Sequence, residues 1–351
     1  MAGRGGLLSH IYPPKSLMFR SRRASLVQRL WRLRCATPGP DDSHGALKPA
    51  AHALFKKLKD TELELLLRAV ESRGAGESGC VWVELRGSKP GLPASLLLCR
   101  LYRWPDLRHS HELKRLSCCR SPGGEGTVHC CNPHHLSRLT TPETPPPPYC
   151  KASPFAIPSK CPNNLDNKRK VWQDTSLSQH SLKDAYWCKL AYWEYRLRVG
   201  RLYPVHEDFV NIFSELPAGN GFCVAQLASR NRSQAVQRAQ RKIGLGLVLS
   251  REAGNVWAYN RSDHPVFISS PTLSPPGSPG LAVHKILPGY SIKAFDYERA
   301  NSLAGWQDLS DGPCDTHTVR ISFTKGWGPS YSRRFITSCP CWLEVLLNTH
   351  G

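Results

Sequence analysis

The chain has 351 residues, room for two or three domains, each able to bury its own core, which argues against one compact catalytic unit. Its 47 Lys and Arg against 27 Asp and Glu leave a formal charge of +20, which favours anionic partners such as nucleic acid, phosphorylated protein or acidic lipid without choosing among them. No run of about 18 apolar residues occurs, so a helical membrane span is excluded and a soluble chain is expected.

Residues 1–40 carry Arg20, Arg22, Arg23, Arg29, Arg32 and Arg34 with no acid before Asp41, and residues 1–45 read as a basic flexible arm; the same composition is that of an amphipathic transit peptide. Phe19, Leu26, Val27, Leu30 and Trp31 are placed to form a short basic helix on docking, and Met18 offers an alternative start. Residues 46–73 read as helix. Leu47, Ala51, Leu54 and Leu58 share a face, and the series resumes at Leu65, Leu66, Ala69 and Val70, with Thr61 and Glu64 in capping-box spacing. Two strand-like runs follow, Cys80–Leu85 and Ser95–Leu101, and then a Cys- and His-rich loop region to Leu139.

From Thr140 to Lys183 periodicity disappears and Pro, Ser and Asn accumulate, as in a linker. Beyond Tyr186 apolar density rises, and the alternation of Ile243, Leu245, Leu247 and Leu249, then Val319, Ile321 and Phe323, predicts half-buried strands. Turn signals at Ala253-Gly254-Asn255, Ser274-Pro275-Pro276-Gly277 and Pro288-Gly289 divide short strands as a sandwich requires, with a helix at Phe295–Trp306 on its edge.

Cys80, Cys99, Cys130, Cys131 and His135 offer more than enough soft ligands for one tetrahedral zinc, and Cys118 and Cys119 are further candidates. Three thiolates and an imidazole leave no open position for water, so such a site is structural. The 14 cysteines lack a preceding signal peptide and several sit in metal-like spacing, which predicts a reducing, intracellular setting. Pro146, Pro147, Pro148 and Tyr149 form a polyproline II ligand ending in a ring, the form that WW domains grip. Arg238, Arg241 and Lys242 precede a strand, and Lys325, Arg333 and Arg334 flank a Lys-Gly-Trp-Gly loop containing Trp327, giving donors suited to phosphorylated or carboxylate-rich segments. No phosphate-binding glycine loop, nucleophile elbow or acid–base pair is found, and the chain reads as non-enzymatic.

The run Leu98–Leu107, followed by His111-Glu112-Leu113 and Cys131-Asn132-Pro133-His134-His135, resembles the N-terminal Mad-homology domain of Smads. Ser322–Gly328 with Thr337–Glu344 resembles the C-terminal one. The Met18-Phe19-Arg20-Ser21 start, the Cys-Cys-Asn-Pro-His-His form and the Pro-Pro-Pro-Pro-Tyr element resemble the inhibitory branch. The resemblance implies an α+β, multidomain chain. A basic arm (1–45) precedes a small, mainly helical, zinc-stapled N-terminal domain (46–139), a Pro-rich linker (140–183) and a C-terminal β-sandwich with flanking helices (184–351). It implies zinc on Cys80, Cys99, Cys130 and His135, with Cys131 the nearest competitor for the third place. It places Lys242, Lys325, Trp327, Arg333 and Arg334 at a receptor- or phosphopeptide-binding surface.

The implied activity is antagonism of TGF-β/BMP signalling in nucleus and cytoplasm. The implied partners are type I receptors, other Smads, transcription regulators, and HECT-type ubiquitin ligases held by the Tyr149 motif. The final Asn348-Thr349-His350-Gly351 lacks the Ser-x-Ser pair that receptor kinases phosphorylate in the signal-transducing members, so the terminal phosphate charge that drives their assembly is not expected. The segment between Cys80 and Cys99, with Arg86 and Lys89, is short beside the basic hairpin of DNA-binding Smads; phosphate contact is open to it and base reading is weak. The alternative reading is a zinc-containing DNA-binding transcriptional repressor.

Overall fold

The computed structural model describes residues 15–36, 44–75, 78–84, 92–121, 128–140, 186–215, 220–229, 231–274, 282–304 and 317–348. Arg86, Lys89, Pro146, Pro147, Pro148 and Tyr149 lie outside the described residues.

The N-terminal unit is built on four helices: α1 (Lys15–Arg32), α2 (His44–Lys57), α3 (Asp60–Glu71) and α4 (Ala94–Tyr102). Part of the basic arm is therefore α1, whose Leu26 and Leu30, one turn apart, are buried in the core of this unit. Arg22 pairs with Glu64 at 2.5 Å and Arg29 with Glu71 at 2.6 Å. Arg23 reaches Asp60 and the carbonyls of Phe55 and Leu58, both at 2.8 Å, covering acceptors that the end of α2 leaves open.

The 46–73 helix divides at Leu58 and Lys59. Thr61 lies inside α3 and forms no capping box: the N-cap is Lys59, and Glu64 is turned to Arg22. Asp60 and Glu62 in the first turn face the positive end of the helix dipole, so the start is charge-stabilised instead. Ser95–Leu101 is a helix rather than a strand. Four consecutive buried residues, Leu96–Cys99, have no period-2 face to declare, and Leu and Arg are better helix formers than strand formers.

Short strands complete the unit: β1 (Trp82–Glu84) pairs antiparallel with β3 (Val128–Cys130), and β2 (Leu113–Arg115) with β4 (Leu136–Leu139).

The C-terminal unit is a two-sheet sandwich. Its strands are β5 (Cys188–Glu194), β6 (Leu197–Val205), β7 (Phe209–Phe213), β8 (Gly221–Cys223), β9 (Leu247–Glu252), β10 (Asn255–Asn260), β11 (Val266–Ser269), β12 (His284–Ile286), β13 (Tyr290–Asp296), β14 (Thr318–Phe323) and β15 (Trp342–Leu347). One sheet runs β12-β11-β14-β15-β5-β6. The facing sheet runs β13-β10-β9-β7-β8 and is extended beyond β13 by β4 and β2 of the N-terminal unit. Between the sheets Tyr192, Ile212, Leu247, Phe295, Ile321 and Leu343 form one apolar core. The Ile243–Leu249 alternation becomes strand only from Leu247, because Gly244 and Gly246 turn the chain after α5 (Gln234–Arg241). The edge helix is α6 (Tyr297–Ala304).

The join between the units is a β-ladder. β4 runs parallel to β13, with Arg138 N–H donating to Gly289 O at 3.2 Å and Thr140 N–H to Ser291 O at 2.8 Å. Ser291 and Ser137 hydroxyls meet, buried, at 2.8 Å, and Lys114 pairs with Glu252 at 2.5 Å. Arg103 lies over the Trp104 ring and donates to Tyr259 Oη at 3.1 Å. Gly289 takes φ +84°, a backbone conformation that L side chains rarely adopt, and its backbone lies against Arg103 and Trp104.

Candidate functional site

Cys80, Cys119, Cys130 and His135 converge, with ligand atoms all within 4.8 Å of one another. Cys80 stands just before β1 and Cys130 ends β3, so the β1–β3 ladder brings two thiols together. His135 closes a tight turn opened by Asn132, whose carboxamide accepts from His134 N–H at 2.9 Å and donates to Gly79 O at 2.9 Å. Cys119 enters through a turn closed on Leu116, whose own N–H donates to His135 O at 3.0 Å.

Tetrahedral zinc, with bonds of about 2.3 Å to sulfur and about 2.0 Å to nitrogen, sets an S···N separation of about 3.5 Å. His135 Nδ1 lies 3.6 Å from Cys80 Sγ and 3.5 Å from Cys130 Sγ. His135 Nε2 stands 2.7 Å from Ser78 O; as the donor there, it leaves Nδ1 a free lone pair aimed at the sulfurs. Hydrogen bonding with the Cys130 thiol holds Cys119 down to about 4, while the same contact and burial push Cys130 up. A thiolate is thus already favoured, and the four donors fit a tetrahedral metal ion with no position left over.

The second site is the loop after β14. Gly328 N–H donates to Arg333 O at 2.7 Å and Tyr331 N–H to Gly328 O at 3.1 Å; Gly326 lies against the Tyr331 ring, where a Cβ would sit 2.5 Å from a ring carbon. Beneath it Trp193 stacks on Trp342 at 5.2 Å, Phe267 meets Tyr331 edge-on at 5.5 Å, and Trp327 and Ile336 are buried with them. On this rigid base Lys325 and Arg334 are exposed and Arg333 is half-buried, and none of the three has a carboxylate partner among the described residues. Phe335 beside them is 69% exposed, the most exposed large apolar side chain described. Cys341 Sγ lies 3.7 Å from Val236 O, so α5, with exposed Arg238, Arg241 and Lys242 at its end, is held at the same end of the sandwich. That helix is pinned by Arg232, which pairs with buried Glu194 at 2.7 Å.

The MH1 domain family matches residues 47–140 and the MH2 domain family residues 185–348. Mothers against decapentaplegic homolog 6 of Gallus gallus is 50% identical over 325 residues, which cover 87% of this chain and 75% of the relative. Homolog 7 of Homo sapiens is 48% identical over 334 residues, covering 86% and 78%. The chain belongs to the inhibitory Smads. Smads are non-enzymatic signal transducers and transcription regulators that meet other Smads and DNA through these two domains. Among solved structures, the interferon regulatory factor 9 IAD domain overlays at a TM-score of 0.35 and 15% identity, covering 49% of this chain and 87% of that one, too little to carry an argument.

Three corrections to the sequence reading concern this Smad's sites. Cys99 is not in the metal cluster. It is fully buried on α4 beside Leu96, Trp104, Leu107 and Leu136, and burial pushes its thiol up to about 12 even with Arg103 nearby. Cys119 takes its place, and Cys131 is equally apolar and buried, at about 12. Trp327 is buried in the aromatic cluster, and the exposed aromatic of the loop is Phe335, which the sequence reading did not single out. The signal for Cys99 is its context: it directly follows Leu96, Leu97 and Leu98 and packs with them, whereas Cys119 stands in a polar loop. Among the described residues no helix is long and apolar enough to cross a membrane.

Proposed function

We propose that this inhibitory Smad antagonises TGF-β/BMP signalling by occupying activated type I receptors and partner Smads with the 324–341 loop and the end of α5. It then delivers a HECT-type ubiquitin ligase through Pro146, Pro147, Pro148 and Tyr149, works in both cytoplasm and nucleus, and meets transcription regulators there. Zinc on Cys80, Cys119, Cys130 and His135 is structural. The observation that carries the reading is the loop: three cations without carboxylate partners among the described residues, around an exposed phenyl ring, on an aromatic base that does not have to reorganise. Arginine and aromatic side chains so displayed are the usual anchors of a protein interface, and their charge suits a phosphorylated or acidic segment.

Reversing Lys325 and Arg333 to Glu tests it. Each charge-assisted contact is worth roughly 1.5–3 kcal/mol where water is excluded, so affinity for the activated receptor domain is expected to fall by about tenfold or more. The melting temperature should hardly move. Unchanged affinity in the folded double variant would remove this loop from the receptor site. Tyr149→Ala should abolish WW-domain binding and leave receptor affinity as it was, read in parallel titrations.

A further inference from the structure

Helix α1 lies outside the MH1 family match yet packs on the MH1 core, and it adds a trough that the matched residues do not form alone. The trough, about 550 Å³, runs between α1 and α2. Its floor is Val27, Trp31, His52 and Phe55; the His52 ring stands 5.8 Å from Trp31 and 6.4 Å from Phe55. Its rim carries exposed Lys48 and Lys56, and no acidic residue lines it among the described residues. Arg23 also borders it, but its guanidinium is already held by Asp60. Arg34 and Lys48 flank the Trp31 ring at 4.6 and 6.0 Å.

We propose that the α1–α2 trough is a docking site for an acidic amphipathic helix of a partner protein. An apolar floor flanked by ammonium groups that have no carboxylate partner among the described residues is complementary to a helix with an apolar stripe and carboxylates at its margins, laid between two helices in the helix-in-groove manner. Lys48 and Lys56 are eight residues apart on one helix, about 12 Å along its axis, which matches two apolar anchors one turn apart with acids before and after them. A second copy of this chain is a poor occupant, since each copy carries a formal charge of +20. A nucleic acid strand would satisfy Lys48 and Lys56 but leave Val27 uncovered.

The test uses the full chain and a panel of fluorescein-labelled helical peptides of about 15 residues, long enough to hold a helix, with Leu or Trp anchors at i and i+4 in a Glu-Ala background. A matched panel has Lys for every Glu. Saturable anisotropy changes are expected with the acidic panel only, weakening with salt. Lys48→Glu with Lys56→Glu, both at exposed positions, should weaken binding by about tenfold or more. Trp31→Ala should weaken it too, and if that variant loses helicity the charge reversal alone decides. The inference fails if no acidic peptide saturates below about 1 mM, or if the Lys panel binds equally well. It fails also if the charge reversal leaves affinity unchanged. Loss of single-stranded oligonucleotide binding, or of a concentration-dependent dimer, in the charge-reversed chain without any effect on the peptides would assign the trough to that ligand instead.

Discussion

In the MH2 domain Tyr192, Ile212, Leu247, Phe295, Ile321 and Leu343 are all but removed from water between two sheets, and stability is spread over many apolar contacts. The MH1 domain has an apolar core around Leu30, Phe55, Leu63, Leu66 and Leu98, but its β1–β3 ladder and the segments around Cys119 and His135 are short and converge on three thiols and an imidazole. MH2 closes by burying area alone, whereas MH1 adds a few directed ligand contacts to its apolar core. The first should degrade gradually under substitution, and the second should fail at single positions.

The largest expected effect is therefore at the metal centre. His135→Ala or Cys119→Ser should lose the metal and unfold MH1 while MH2 keeps its own transition, since structural zinc supplies roughly 10–16 kcal/mol of apparent binding energy to small domains. Metal content by elemental analysis and two-transition calorimetry read this. Cys99→Ser is the sharper comparison: the metal should stay, at a cost of about 1–3 kcal/mol for a hydroxyl without a partner in an apolar site. If Cys99→Ser released the metal and Cys119→Ser did not, the ligand set drawn above would be wrong.

A smaller effect is expected where MH2 departs from the rule of spread-out apolar contacts. Glu194→Gln leaves Arg232 largely buried without its counter-charge, and removal of one member of such a pair costs about 3–5 kcal/mol. Urea unfolding of the MH2 transition should show the loss; a change below about 1 kcal/mol would place that pair among the solvent-screened ones.

The smallest is at the start of α6, where Asp296 accepts the Arg299 backbone N–H at 3.1 Å and faces Lys293. These contacts hold its carboxyl below the ordinary carboxylate range, the backbone hydrogen bond foremost. Asp296→Ala should cost about 1 kcal/mol. A lowered folded pKa means the contribution is complete above the unfolded value of about 3.9 and is lost as the pH falls through the folded value. The difference between parent and variant should thus close in acid, and a difference that grew on acidification would contradict the assignment.

Much of this architecture was legible in the residues alone. The alternation at Val319, Ile321 and Phe323 declares β14, because a half-buried strand must alternate, and the Ala253-Gly254-Asn255 turn signal marks the β9–β10 hairpin, where Gly254 takes a positive φ without steric cost. The Cys-Cys-Asn-Pro-His-His string likewise marked His135, since Asn132 and Pro133 set its turn locally. Three features could not be read in that way. Leu96, Leu97, Leu98 and Cys99 are consecutive and all buried, with no period that separates helix from strand, so this helix is chosen by the neighbours that bury it. Cys99 and Cys119 are the same residue type and both precede Cys130 along the chain, and only the folded path shows that one faces a leucine cluster and the other the ligand set. The β4–β13 ladder joins two domains across the linker, and a parallel pairing of exposed edges leaves no local pattern in either strand. Local preference is written in short-range spacing. Long-range choice among equivalent thiols, edges and apolar runs is settled by which partners the fold brings within a few ångströms.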